Sequence, residues 1–281
     1  MKEKKIGIIG GSGVYGIDGI EVVSEHKIST PFGDPSSEVI EAKVSGTSFL
    51  FIPRHGKNHT YLPNELNYRA NIFALKSLGV KYIISVSAVG SLKEELFPTT
   101  FVLPDQFIDW TKGKRERSFF GNGMAGHVST AQPINLQLQE MVSESCKEEG
   151  IKYSKGGSYI CIEGPQFSTK AESAIYRGFG ASVIGMTNVP EAYLAKEAGI
   201  AYATIAMVTD FDCWRGDHCS VEEIVRTMQT NNVSIQKVLL NLVPILGNNM
   251  FEFEPENKNA VMTAPNKLTA EHNKILEVLL S

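Results

Sequence analysis

Residues 6–16 read IGIIGGSGVYG, an apolar strand-like run that opens into a glycine turn. Gly11, Gly13 and Gly16 fit G-x-G-x-x-G, the spacing that seats a dinucleotide pyrophosphate on the N-terminus of the next helix. The segment after this turn is not helix-like. IDGIEVVSEHKISTPFGDP (17–35) alternates only in part and then carries Pro31, Gly33 and Pro35. SEVIEAKVSGTSFLFIP (37–53) is again strand-like, with Gly46 at the expected turn. This pattern predicts a hairpin or meander in place of a crossover helix. A Rossmann unit also needs an acidic residue about 20 positions on, closing its next strand. Glu25 and Asp34 meet that spacing only loosely. Three readings of the turn stay open at this point: a tight surface turn without a ligand, a site for some other anion, and, least favoured, a dinucleotide site.

Further apolar runs rich in Ile and Val have the look of strands buried on both faces. They are SFLFIPR (48–54), YIISVSAVG (82–90), FVLPDQF (101–107), SYICIEG (158–164), SVIGMT (182–187) and AYATIAMVTD (201–210). Helix-like segments at 65–79, 134–150, 171–180 and 188–199 precede four of them, the last with Pro190 near its start and Gly199 at its end. Strands alternating with helices imply an α/β fold with a largely parallel sheet. From 247 the chain turns polar and turn-rich, and KLTAEHNKILEVLLS (267–281) is expected to form an amphipathic helix. The expected division is a domain over 1–246 and a tail over 247–281.

The 281 residues are 42% hydrophobic and 21% charged with a net charge of −4, enough apolar material for one large core and no electrostatic reason to bind nucleic acid or an anionic membrane. No apolar run approaches the ~20 residues of a membrane span, and MKEKKIGIIGG lacks the apolar stretch of a signal peptide. Cys146, Cys161, Cys213 and Cys219 show neither C-x-x-C pairing nor zinc spacing, so cytoplasmic thiols are expected.

Three strand ends carry groups suited to an anion. FIPRHGKNH ends in Arg54 and His55, ISVSAVGS supplies Ser87 and Ala88, and the opening turn supplies Ser12. Arginine offers a planar fork of donors, and small residues let a hydroxyl and backbone N–H groups approach an oxyanion. Each cluster alone also reads as a plain turn. In open α/β sheets, however, ligands collect beyond the carboxyl ends of strands, where separate clusters can converge. No P-loop pattern occurs.

A second group is polar or aromatic. IAMVTDFDCW places Asp210 and Asp212 at a strand end, facing the same way if the extended geometry continues. Such a pair suits metal binding, a glycosidase pair or recognition of a nitrogenous base. Phe167 on a Gly-Pro turn is placed to stack on a base or to staple the following helix, and Met186 and Thr187 mark one more strand end.

GGSG, PRHG, NYRANI, SAVGSL, DQFID, IEGP-FST, GMTNVPEA and ATIAMVTDFDCW occur in that order between about Ile6 and Leu246. Together they resemble the 5′-methylthioadenosine phosphorylases in the trimeric branch of the purine nucleoside phosphorylase family. The resemblance implies one α/β domain with a mixed, mostly parallel sheet flanked by helices, assembled as a homotrimer with sites near subunit interfaces. It implies a phosphate site of Ser12, Arg54, His55, Ser87, Ala88 and Thr187. The implied purine and ribose site is Phe167, Ser168, Met186, Asp210 and Asp212, the last two also catalytic. The 5′-substituent pocket is expected from Val221 and Val225, with His127 of a neighbouring subunit. Inorganic phosphate is the implied co-substrate, with no metal and no organic cofactor. In relatives the tail can cover the 5′ end of the site.

Asp210 is expected to serve the purine N7, with Asp212 beside it favouring a protonated carboxyl. Aspartate at 210 also accepts from a 6-amino group, which favours adenine over 6-oxopurines. Valine at 221 stands where ordinary purine nucleoside phosphorylases are similar in having histidine. Gln166 and Lys170 depart from the arginines of the family pattern, Ser87 stands for a threonine in relatives, and GHVSTAQP (126–133) lacks the familiar M-A-x-P form. A sibling phosphorylase acting on methylthioinosine, adenosine, inosine or guanosine is the near alternative. A nucleoside-binding or NAD-binding protein without turnover is the distant one.

Overall fold

Residues 5–11, 19–215 and 221–281 are described by the structure, a computed structural model. Their elements are β1 (Lys5–Gly10), β2 (Ile20–His26), β3 (Val39–Val44), β4 (Thr47–Pro53), α1 (Tyr68–Ser77), β5 (Val80–Ser91), β6 (Phe101–Leu103), β7 (Gln106–Trp110), α2 (Leu136–Glu148), β8 (Tyr153–Lys155), β9 (Ser158–Ile162), α3 (Lys170–Gly178), β10 (Val183–Gly185), α4 (Asn188–Glu197), β11 (Ala201–Asp210), α5 (Val221–Asn248) and α6 (Ala270–Leu279). All the strands join one mixed sheet. Its main path runs β2-β3-β4-β1-β5-β10-β9-β7, and a branch from β5 runs through β11 and β6 to β8.

The segment after the glycine turn forms the expected meander: β2, β3 and β4 pair antiparallel in sequence, and β4 then pairs parallel with β1. Ser45 and Gly46, both with positive φ, make the tight turn between β3 and β4. Among the described residues no crossover helix separates these strands, and β1 meets β4 in place of β2. One expected strand is in fact two. FVLPDQF breaks at Pro104, which has no N–H to give a ladder, and both Asp105 and Gln106 send their N–H groups to Gly157 O. β6 therefore pairs with β11 and β8, while β7 pairs with β9.

Alternation along the central strands divides the core between two faces. Ile6, Ile8, Tyr82, Ile84, Ala203 and Ile205 pack with Leu138 of α2 and Val238 and Leu242 of α5. Ile9, Ile83 and Tyr202 face the other way, against Ile72 of α1, Leu194 of α4 and Ile275 of α6. The helix ends follow their local chemistry. Asn67 and Asn135 cap α1 and α2, and Thr169 and Glu172 close a capping box on α3. In α4, Val189 keeps extended dihedrals, so the regular helix begins at Pro190, where a missing N–H costs nothing. The predicted C-terminal helix is α6. Thr269 caps it, Leu276 and Leu279 bury its apolar stripe, and Ser281 O accepts from Lys76 Nζ at the end of α1 and from Lys81 Nζ at the start of β5.

Ile83 sits wholly buried in the centre of the sheet. Ile83→Ala is expected to destabilise the protein by about 2–5 kcal/mol, read as a lower denaturant midpoint at constant m-value.

Candidate active site

One edge of β5 has two successive partners. β1 pairs with it from Val80 to Ser85, and β10 pairs antiparallel with Gly90 and Ser91. Both lie on the same edge, because β11 occupies the opposite one from Tyr82 to Gly90. Val86 to Val89 are left with no strand partner on that edge among the described residues. Ala88 is exposed in a strand that is otherwise buried along most of its length. The sheet is split here, and of the four residues in the interval Ala88 alone is exposed.

Two hydroxyls meet at the split. Ser87 Oγ lies 3.3 Å from Thr187 Oγ1 and 3.3 Å from Tyr159 OH. Thr187 stands at the N-cap of α4 but makes no capping bond with its side chain, leaving that hydroxyl to Ser87. The backbone N–H of Arg54 donates to Gly10 O at 2.8 Å, so the end of β4 lies beside the start of the glycine turn. Ser12 itself lies outside the described residues.

Most of the Arg54 fork is taken up within the protein. Its Nε and Nη2 donate to Glu191 Oε2 and Oε1 at 2.7 and 2.9 Å. Nη2 also reaches Ser85 Oγ at 2.7 Å, and Nη1 donates to Val86 O at 2.8 Å. Of five guanidinium N–H groups, the second on Nη1 is the one without a partner among the described residues. His55 Nδ1 is 2.9 Å from Tyr61 O and must carry the proton there, which leaves Nε2 as an acceptor. Burial pushes the His55 pKa down to about 4, against the pull of the Tyr61 carbonyl and with the help of the Arg54 charge. The ring is neutral at pH 7 and stacks on His59.

At the other end of the split, β11 finishes in a register shift between Val208 and Asp210. Asp210 Oδ2 accepts from Thr209 Oγ1 at 2.7 Å, and Oδ1 accepts from the backbone N–H of Asp212 at 2.7 Å. The extended geometry stops at Asp210, because Asp212 has φ 51°. The two carboxylates therefore do not project as alternate residues of one strand; the second folds back onto the first. A Cβ on Gly90 would lie 3.3 Å from Asp210 Oδ1 and 3.3 Å from Asp212 Cβ, so the missing side chain is what lets the pair close on β5. Burial, then the charge of Asp210, raises the Asp212 pKa above the usual carboxylate range.

Phe167 is 81% exposed, too open to staple α3, and its ring is free to stack. With Ser168, Gly164, Ile162 and Trp110 it lines a cavity of about 660 Å³. Ser168 O receives the Cys213 thiol at 3.2 Å, tying this wall to the residue after Asp212. Met186 packs its sulfur against Gly164, where a Cβ would come within 2.5 Å. Val225 and His127 are both exposed, and the His127 side chain makes no hydrogen bond to these groups among the described residues. The Val221 side chain lies outside the described residues.

Residues 5–244 match the family model of the phosphorylase superfamily. The chain belongs to the phosphorylase superfamily. Among its relatives, the S-methyl-5′-thioadenosine phosphorylase of Rhodospirillum rubrum is 53% identical over 232 residues, 82% of this chain and 79% of its own. The protein of the same name from Synechocystis is 46% identical and covers 100% of this chain and 88% of its own. The crystal structure of a methylthioadenosine phosphorylase from an antarctic soil metagenomic library superimposes with a TM-score of 0.94 at 41% identity, each chain covered in full. That of Schistosoma mansoni in complex with adenine gives 0.82 at 36%, covering 87% of this chain and 92% of its own.

Sequence reading missed two residues of this superfamily member's site. Glu191 is noticeable in the sequence only as part of a helix start, yet it is 2% exposed and holds Arg54. Arg115 sits in KGKRERS, a run with the composition of a solvated loop, but it too is buried. It donates to Glu163 Oε1, to Met186 O and to Val189 O, each within 2.8 Å, so it sets the chain path on both sides of Thr187. The sign of its charge was legible; its burial was not.

A neutral, half-buried His55 makes a pH prediction. Its folded pKa is depressed to about 4, below the ordinary 6.5, so the unfolded chain binds the extra proton between those values. Stability contributed by neutral His55 is complete above about pH 6.5 and is lost on descending to about pH 4. His55→Gln is expected to flatten the unfolding free energy across that window, measured by denaturant titrations at several pH values.

Proposed function

We propose that the protein catalyses phosphorolysis of 5′-methylthioadenosine to adenine and 5-methylthioribose-1-phosphate. The observation that carries this reading is the meeting of Ser87 and Thr187 in the split of the sheet, with Asp210 and Asp212 at its far end. The relatives from Rhodospirillum rubrum and Synechocystis supply the substrate class. Phosphate takes the hydroxyls of Ser87 and Thr187, the open backbone near Ala88 and the remaining Arg54 N–H. His55 Nε2, an acceptor, suits the P–OH of hydrogen phosphate. Ser12 completes the cradle.

A phosphate oxygen attacks C1′ as the bond from C1′ to N9 breaks. The electron pair of that bond goes to the purine, and positive character on the sugar is met by the incoming phosphate. Negative charge on the purine is met by a proton that the Asp210 carboxyl gives to N7, and the carboxylate left behind takes a proton back from water once adenine has departed. Asp210 also accepts from the 6-amino group, Phe167 stacks on the base, and Ser168 and Met186 border the base and ribose. Neither a metal nor an organic cofactor is required by these steps.

Val221, Val225 and His127 form the pocket for the methylthio group. The exposure of Val225 and His127 in one chain supports a pocket completed by a second copy, in keeping with a homotrimer. The proposed setting is purine and methionine salvage in the cytoplasm.

The test is a panel of nucleosides with and without phosphate. Phosphate-dependent release of adenine from methylthioadenosine is expected; release of hypoxanthine from methylthioinosine or inosine in its place would assign the chain to a sibling activity. Asp210→Asn should lower kcat on methylthioadenosine by about 10²-fold or more and shift preference toward 6-oxopurines. Unchanged kcat and preference would remove Asp210 from the leaving-group role. Val221→His should lower the ratio of kcat/KM for methylthioadenosine over adenosine by about tenfold, and an unaltered ratio clears that residue of the 5′ pocket.

A further inference from the structure

Behind the split lies a carboxylate surrounded by donors. Glu191 Oε2 accepts from Arg54 Nε, while Oε1 accepts from Arg54 Nη2, from Ser85 Oγ at 2.7 Å and from Tyr202 OH at 2.8 Å. The directions of those hydroxyl protons are forced. Asn188 Nδ2 donates to both Ser85 Oγ and Tyr202 OH, at 3.0 and 2.8 Å, so each hydroxyl must point its own proton elsewhere, and Glu191 is where it goes. Thr204 Oγ1 in turn donates to Asn188 Oδ1, which sets the amide. Every polar side chain in this network is fully or almost fully buried.

The geography of the network matters as much as its chemistry. Arg54 comes directly after β4, Ser85 is on β5 two residues before Ser87, Tyr202 is on β11, and Glu191 is four residues after Thr187. One carboxylate thus ties together the segments that bring Arg54, Ser87 and Thr187 to the split. It also holds the guanidinium in a single plane, with Nη1 turned to Val86 O beside Ser87, and it cancels the arginine charge.

We propose that Glu191 is a positioning residue for the phosphate. It does not touch the anion. It orients Arg54 so that one guanidinium N–H, on the nitrogen held at Val86 O, serves the anion, and it cancels the arginine charge. This role rests on the phosphorolysis reading and concerns its phosphate half alone.

Glu191→Gln keeps the volume but sets an amide N–H against a guanidinium N–H. Misplacement of a group by about 1 Å can cost 10²-fold in rate. The expected result is a fall of about 10- to 100-fold in kcat/KM for phosphate, with KM for the nucleoside within about twofold of the parent protein. Tyr202→Phe leaves the ion pair in place and removes one donor, and a rise of about threefold in phosphate KM is expected, again without a change for the nucleoside. If Glu191→Gln does not fold, Tyr202→Phe decides the matter by the same split. Calorimetric titration with inorganic phosphate alone reads the same weakening without any turnover. A parent protein that binds phosphate but cleaves no nucleoside would sink the phosphorolysis reading and leave this comparison intact. Phosphate KM and dissociation constant within twofold of the parent in both variants overturn the proposal, and so does a parallel rise of phosphate and nucleoside KM, the mark of a merely structural role.

Discussion

Three neighbours compete for β5, and the fold resolves that competition with a gap. A strand has two edges, so β1 and β10 must share one while β11 holds the other. They run in opposite directions, parallel and antiparallel, and cannot merge into a single strand. The interval from Val86 to Val89 is the consequence. Backbone groups that a continuous sheet would pair are released there, and buried unpaired groups are costly enough that something must satisfy them. Side chains take part of that duty, Arg54 at Val86 O and Thr209 at Val89 O. No strand takes the rest on that edge among the described residues.

The electrostatics of the split are quieter than an anion site would suggest. Its arginine is paired with a buried carboxylate, and its histidine is desolvated and neutral. What remains for an oxyanion is a set of fixed dipoles: hydroxyls, backbone N–H groups and one guanidinium N–H. In the reaction proposed above, fixed dipoles would stabilise charge without reorganising as it moves from phosphate to sugar to purine. A free cation would hold the nucleophile more tightly and blunt it.

Much of this was legible in the residues alone. Buried parallel strands announce themselves as unbroken Ile and Val runs, and Arg54, Thr187, Asp210 and Asp212 stand at or just beyond the ends of such runs, where an α/β sheet collects its ligand; Ser87 and Ala88, expected after a strand, lie inside β5, which runs on to Ser91. The meander after the glycine turn was readable from Pro31, Gly33, Pro35 and Gly46. The break at Pro104 was readable in principle, since proline cannot serve a central ladder, but the apolar residues around it masked the signal. Glu191 and Arg115 were hidden for a different reason. Charged residues are ordinarily solvated, and nothing local distinguishes the few that are buried against a partner of opposite sign far along the chain.

Local chemistry thus determined the fold class, the alternation of strands and helices, the strand ends at which polar residues gather, and the family pattern those residues spell. The tertiary structure decided which way those groups point. It turned the Arg54 fork inward, folded Asp212 back on Asp210 over Gly90, and set Ser87 against Thr187 across 100 residues of chain. Periodicity and composition report on neighbours within a few residues, whereas hydrogen-bond direction, burial and charge pairing depend on contacts between segments distant in sequence. Those contacts exist only once the chain has closed around β5.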